Sequence, residues 1–253
     1  MSDTKKKSLL HKKHIIILSV FLGWTLLLMS VFFVYMGDYY HAEDIAFQAL
    51  NSDDTVTVTE TESGWLFNGA SDDDLLIFYS GAKVEEEAYA PLLHRIAESG
   101  TDAYLVKMPF HFAMFGINSA DDIINGTDYK NYYIGGHSLG GAMAAVYASD
   151  NGEKLSGLVM LAAYPTKELN SDLIEITVLG SNDTVVSLEK IEEGKKYQTD
   201  NAVEYVIKGG NHALFGNYGE QKGDGTAMIT GEDQQGQTVR FITDVISEKN
   251  KII

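Results

Sequence analysis

Residues 135–141 read Gly-Gly-His-Ser-Leu-Gly-Gly, and at their centre Ser138 is flanked two residues away on each side by Gly136 and Gly140. A serine hydroxyl acts as a nucleophile when it is held exposed beside a general base. The neighbouring residues supply the holding device. Tyr132-Tyr133-Ile134 reads as a strand and Ala142–Ala148 as a helix of small residues, so Ser138 falls at a sharp strand-to-helix turn, a nucleophile elbow. The glycines leave room where any side chain would clash. In that geometry the Ser138 hydroxyl stands at the carboxyl edge of a sheet. The Leu139 N–H, at a helix N-terminus, is set to bind a developing oxyanion.

A serine nucleophile needs a base, and the base needs an orienting acid. Only one histidine follows Ser138 in the chain: His212, in Gly209-Gly210-Asn211-His212-Ala213, just beyond the strand-like Val203–Ile207. Of the other six, His11, His14 and His41 flank an apolar run, His94 lies on an amphipathic helix, His111 is in a loop and His137 is inside the elbow. Asp183, in Gly180-Ser181-Asn182-Asp183-Thr184, follows the apolar strand Ile176–Leu179. Asp172, Glu175 and Asp200 stand at or before strand starts, at the wrong edge. Asp183 alone shares the carboxyl edge with Ser138 and His212. Its plain alternative is an Asx turn, in which the carboxylate serves the backbone of its own loop.

The order Ser138, Asp183, His212 resembles that of α/β-hydrolases. From about Thr55 to about Lys249 the chain is similar to that superfamily, in particular to a short, lidless branch related to dienelactone hydrolases. Besides the three residues, the likeness rests on Phe78–Val84, on Lys107-Met108-Pro109 and on His212–Gly216. Dienelactone hydrolases use a cysteine nucleophile. This chain has serine there and no cysteine, so their substrate does not carry over. The resemblance implies acyl transfer to water through an acyl-enzyme, and no cofactor. It also implies a second oxyanion donor in the loop after the strand Leu75–Tyr79. Ser80-Gly81-Ala82 stands where the superfamily often has His-Gly-x, which gives the Ala82 N–H, with the Lys83 N–H as the alternative.

Between Ala163 and Asp172 there is no room for the cap that many lipases insert. The longest segment near the site without a strand pattern is Met108–Gly126. Its bulkier members, among them Phe110, His111 and Phe115, either line the acyl or leaving-group pocket or pack over the sheet edge. Tyr218 and Asp224 are lesser pocket candidates.

Net charge is −17, which disfavours nucleic acid as a partner, because phosphate binding needs a basic surface. Without cysteine there are no disulfides and no thiolate metal site, and no metal-ligand spacing stands out. The acidic runs Asp72–Asp74 and Glu85–Glu87 read as a solvated loop and a helix N-terminus. No phosphate-loop or dinucleotide fingerprint occurs.

The N-terminus carries a second signal. Ile15–Met36 contains no charged residue and as a helix would span about 33 Å, enough for a hydrocarbon core of about 30 Å. Lys5, Lys6, Lys7, Lys12 and Lys13 precede it, while Asp38, Glu43 and Asp44 follow. That bias puts the N-terminus in the cytoplasm and the rest of the chain outside. Tyr35, Tyr39 and Tyr40 suit a membrane interface. A cleaved signal peptide is the weaker reading, since the apolar run is long and no small-x-small site follows it.

The expected organisation is a cytoplasmic basic tail (1–14), a transmembrane signal anchor (15–36), a polar juxtamembrane linker (37–54) and an α/β-hydrolase domain (55–253). Within that domain a hairpin spans Thr55–Glu60 and Trp65–Asn68. Strands follow at Leu75–Tyr79, Ala103–Lys107, Gly157–Ala162, Ile174–Leu179 and Val203–Ile207, with helices at Glu86–Ser99, after Ser138 and at Glu232–Glu248. This alternation gives a mostly parallel sheet with helices on both faces. The expected activity is hydrolysis of a small acyl substrate by a protein anchored in the lipid bilayer. An acyltransferase using the same residues, or a catalytically silent binding protein on the same fold, are the other readings.

Overall fold

The computed structural model describes residues 3–70 and 73–250. Met1, Ser2, Ser71, Asp72 and residues 251–253 lie outside that description. The chain forms two compact units, Met1–Asp38 and Tyr39–Ile253.

The first unit is one helix, α1 (Asp3–Met36), which runs unbroken through the lysines that precede the apolar stretch. Lys13–Met36 is long and apolar enough to cross a membrane, and its most apolar stretch is not buried in protein. Its side chains show no polar stripe, as expected of a helix with no aqueous face.

The second unit opens with α2 (Asp44–Gln48) and the hairpin β1 (Thr57–Thr61) and β2 (Gly64–Asn68). It continues with β3 (Asp74–Tyr79), α3 (Ala90–Glu98), β4 (Asp102–Val106), α4 (Ser119–Gly126), β5 (Asn131–His137) and α5 (Leu139–Asn151). Then come β6 (Gly157–Leu161), β7 (Ile174–Gly180), α6 (Leu188–Gly194), β8 (Ala202–Ile207) and α7 (Gly231–Asn250). The eight strands make one sheet in the order β1-β2-β4-β3-β5-β6-β7-β8. β3 to β8 are parallel; β1 and β2 are antiparallel to each other, and β2 to β4. The fold is thus the α/β-hydrolase type expected.

Helices cover both faces, so the central strands are apolar throughout. Along β3 alternate residues serve opposite cores. Leu76 and Phe78 pack with Leu92, Leu93 and Ile96 of α3 and Ile242 and Ile246 of α7. Leu75, Ile77 and Tyr79 pack with Ile123 of α4 and Ala144, Ala145 and Ala148 of α5. Small residues on α5 let it lie close against β5 and β6.

Several differences from the sequence reading matter for the site. α4 lies inside Met108–Gly126, and α6 follows Asp183; short polar helices of 8 and 7 residues carry little periodicity to read. Asp74 and Glu86, expected in solvent, are buried. Tyr39 and Tyr40, expected at a membrane interface, lie against the body, which begins at Tyr39.

Candidate active site

The strand order reverses at β3 and β5, which are neighbours although β4 comes between them in the chain. Crevices form at the carboxyl ends of strands at such a switch point. The loop Ser80–Glu85 leaves β3 there, and Ser138 leaves β5 beside it, with Tyr79 paired to Gly136.

Ser138 has φ 54° and ψ −122°, a conformation that costs a non-glycine residue of order 1–3 kcal/mol. Its surroundings hold it. The Ser138 N–H donates to Leu161 O of β6 at 2.8 Å, and its C=O accepts from Ala142 N–H of α5 at 3.0 Å. A Cβ on Gly136 would come within 2.5 Å of Gly140 C and 2.6 Å of Tyr79 O, and one on Gly140 would strike the carbonyls of Tyr79 and Ser80. Both glycines are therefore sterically required where β5 turns into α5. Leu139 is the first residue of α5, so its N–H has no partner within the helix.

Asp183 and His212 follow the paired strands β7 and β8. His212 Nδ1 and Asp183 Oδ2 are 2.8 Å apart, and both side chains are 1% exposed. Asp183 Oδ1 accepts from the N–H groups of Val185 (2.8 Å) and Val186 (3.0 Å). The Asx turn and the histidine partner are therefore both real, one on each carboxylate oxygen, and the turn is what aims the second oxygen at the ring. His212 Nε2 is buried and bonded to no described residue, Ser138 Oγ included. The His212 loop nonetheless touches the elbow, since the rings of His137 and His212 are 4.5 Å apart.

Of the two proposed oxyanion donors in the β3 loop, the Lys83 N–H is spent on His111 O at 2.8 Å. Ala82 sits in a turn closed by Val84 N–H donating to Gly81 O at 3.3 Å, and its own N–H meets no acceptor among the described residues. Phe110 and Phe115 are about half exposed, with ring centroids 5.9 Å apart. His111 is used structurally: its Nδ1 is 2.7 Å from Glu86 Oε2, and the carboxylate holds the imidazole above its ordinary pKa of 6.5. A cleft of about 630 Å³ lies not over Ser138 but behind the His212 loop, lined by Asn211, Ala213, Asp224, Arg95 and Glu43 among others. Among the described residues no group of acidic or histidine side chains is arranged to hold a metal ion.

The chain from residue 75 to 236 matches the family model described as the alpha/beta hydrolase family. The chain belongs to the alpha/beta hydrolase family. Solved structures of similar fold include an alpha/beta hydrolase enzyme from a metagenome of lagoon sediments at Mar Chica, Morocco (TM-score 0.58, 14% identity, 77% of this chain and 99% of that one). A dienelactone hydrolase from Anabaena variabilis gives TM-score 0.56 at 12% identity, covering 78% of this chain and 97% of that one. A monoacylglycerol lipase from Paleococcus ferrophilus gives 0.54 at 13%, covering 75% and 99%. At such identities the likeness is one of fold. No curated protein matches the sequence.

Three residues of this alpha/beta hydrolase that the sequence did not single out for the site, together with Asp224, brace it. Gln234 of α7, fully buried, bonds the backbone of Asn211 twice: its Oε1 accepts from Asn211 N–H (3.0 Å) and its Nε2 donates to Asn211 O (2.8 Å). Glu86 accepts from Met108 N–H (2.9 Å) while holding His111. Tyr89 OH accepts from Gly81 N–H (3.1 Å) and lies 2.8 Å from His137 Nδ1. Burial pushes His137 well below 6.5, so it stays neutral beside His212. Asp224, weighed above only as a pocket residue, instead accepts from Ala213 N–H at 2.9 Å. A lone Gln or Glu in an amphipathic helix carries no sequence mark of such a role. Only the buried position of Gln234, on the inner stripe with Thr238, hinted at it.

Proposed function

We propose that this protein is a membrane-anchored serine hydrolase that cleaves a small ester-type substrate through an acyl-enzyme. The observation that carries the reading is the buried Asp183–His212 pair, whose imidazole lies beside the ring of His137, the residue before the strained Ser138 at a strand-to-helix turn. Ser138 Oγ attacks the carbonyl carbon. His212 Nε2 takes the hydroxyl proton and then gives it to the leaving group. Asp183 keeps the other ring proton on Nδ1 and stabilises the imidazolium as it forms. The N–H groups of Leu139 and Ala82 stabilise the tetrahedral oxyanion. Water enters on the vacated side, and the same groups run in reverse to free the acid. The reaction needs no metal or cofactor.

The substrate is small: the β6–β7 connection is too short for a cap, and Phe110, Met114 and Phe115, in the segment after β4, are about half exposed. Residues 15–36 hold the enzyme in the bilayer, and the lysines before them place the hydrolase unit on the extracytoplasmic side. A fluorophosphonate probe tests the chemistry. It should label the full-length protein at Ser138 and label neither Ser138→Ala nor His212→Ala. Failure to label the wild-type chain would favour a silent binding protein instead.

A further inference from the structure

The loop that carries Ala82 is held by a segment that has no place in the mechanism above. Lys83 has φ 57°, a left-handed conformation that a side-chain-bearing residue keeps only when its surroundings impose it. Both of its peptide groups are bonded. The N–H donates to the carbonyl of His111, itself left-handed at φ 53°. The C=O accepts from the Tyr40 N–H at 2.7 Å. Glu85 N–H then donates to Tyr40 O at 2.9 Å, so that Tyr40 pairs with Val84 as a one-residue parallel strand. Next in the chain, Ala42 N–H donates to Glu85 Oε2 at 2.8 Å. The Tyr39 ring stacks on the His111 ring at 4.2 Å between centroids, closing the arrangement from the other side.

The same segment also reaches the loop after His212. Tyr40 OH accepts from Lys222 N–H at 3.1 Å, the Tyr40 ring lies 5.6 Å from that of Tyr218, and Glu43 N–H donates to Asn217 O at 2.8 Å. Residues 39–43 therefore tie the β3 loop to the continuation of the histidine loop. The bonds of Tyr40 to Lys83 and Glu85 and that of Glu43 to Asn217 are between backbone groups, which a change of side chain does not easily release, while the Tyr40 side chain makes the contacts to Tyr218 and Lys222.

We propose that Tyr39–Glu43 is a positioning strap of the active site, which sets the Ala82 N–H against the oxyanion through the imposed conformation of Lys83. The inference rests on the serine hydrolase reading given above. The strap begins three residues after the last residue of α1, so the part of the chain that tethers the enzyme also completes its oxyanion hole. Cleavage of the chain between Tyr40 and Glu43 would release an impaired enzyme rather than an active soluble one.

The test uses the full-length protein in vesicles of phosphatidylcholine and a water-soluble acetyl ester. Tyr40→Pro removes the N–H that bonds Lys83 O; Tyr40→Ala keeps it and removes only the ring and hydroxyl. Losing one oxyanion donor costs about 10²–10³ in kcat. Tyr40→Pro should therefore lower kcat at least tenfold with KM within threefold of wild type. The affinity for a trifluoromethyl ketone, which forms an oxyanion on Ser138, should fall by the same factor. The pH profile set by His212 should not move. Tyr40→Ala should lose clearly less. If Tyr40→Pro melts at the wild-type temperature and keeps kcat and ketone affinity within twofold, the segment is only a tether and the proposal is wrong. Should Tyr40→Pro not fold, Tyr39→Ala decides by the same two readouts. Absence of fluorophosphonate labelling in the wild-type protein would instead remove the hydrolase reading on which the strap depends.

Discussion

Gln234→Leu separates the positioning of His212 from its chemistry. Leucine has nearly the volume of glutamine, so the substitution opens no large cavity beneath the loop. It does leave Asn211 N–H and C=O without partners in a buried place. Each unsatisfied group costs about 1–3 kcal/mol, which gives about 2–6 kcal/mol for the pair. A domain of this size has a total stability of about 5–15 kcal/mol, so the variant should still fold, melting lower by about 5–20 °C. Asn211 immediately precedes His212, and Gln234 alone ties its backbone to α7. Release of that backbone should displace the imidazole by a fraction of an ångström to an ångström, and misplacement on that scale costs about 10² in rate. Thermal unfolding and steady-state kinetics on a soluble acetyl ester measure the two effects. The expected result is a lower melting point together with a kcat reduced by about two orders of magnitude and little change in KM. Asp244→Ala, on the exposed side of the same helix, should do neither. If Gln234→Leu lowers the melting point but leaves kcat intact, Asp183 alone orients His212 and the bracing argument fails.

Ser138→Ala and His212→Ala should each lower kcat by about 10⁴–10⁶, and the double variant should add little, because the residues act as one unit. Asp183→Asn should be severe but milder; an unchanged kcat would refute Asp183 as the orienting acid. Because burial keeps His137 neutral in the fold, the unfolded chain takes up a proton below pH 6.5 that the folded chain refuses. This contribution to stability is intact above pH 6.5 and is lost as pH falls below it, at up to about 1.4 kcal/mol per pH unit. His137→Phe should flatten the dependence of the urea midpoint on pH between 6.5 and 5 by one proton, and an unchanged slope would refute the assignment. Across acetyl to palmitoyl esters kcat/KM should peak at short chains, without a jump where the substrate aggregates; an optimum at about eight carbons or longer would mean that an acyl channel exists. The protein should stay with membranes through carbonate extraction, and protease added outside should reach the hydrolase unit, whereas a mature N-terminus near Glu43 would establish cleavage of the anchor.

Ser138, Asp183 and His212 were legible in the sequence because each follows a strand at a short, glycine-marked turn. The end of a strand defines an edge, and the adjacency of β5, β6, β7 and β8 in the sheet is what brings the loops that carry the three residues to one part of it. The unbroken apolar run before Gly37 was legible for a simpler reason, since length and absence of charge suffice. The braces were not legible. Gln234 and Asn211 are 23 residues apart, Tyr89 and His137 48, and Tyr40 and Lys83 43, and no local pattern joins such pairs. The resemblance implied the Ala82 N–H as the second oxyanion donor, with the Lys83 N–H as the alternative, and only the folded chain shows the Lys83 N–H spent on His111. Polarity misled at Glu86 and Asp74, because a carboxylate can be buried once the fold supplies donors, and donors come from other elements. The sequence by itself determined the fold family and the strand ends after which Ser138, Asp183 and His212 stand, since these follow from local periodicity and turn chemistry. Which groups hold them in place was decided by contacts between distant segments, which exist only after the sheet has closed.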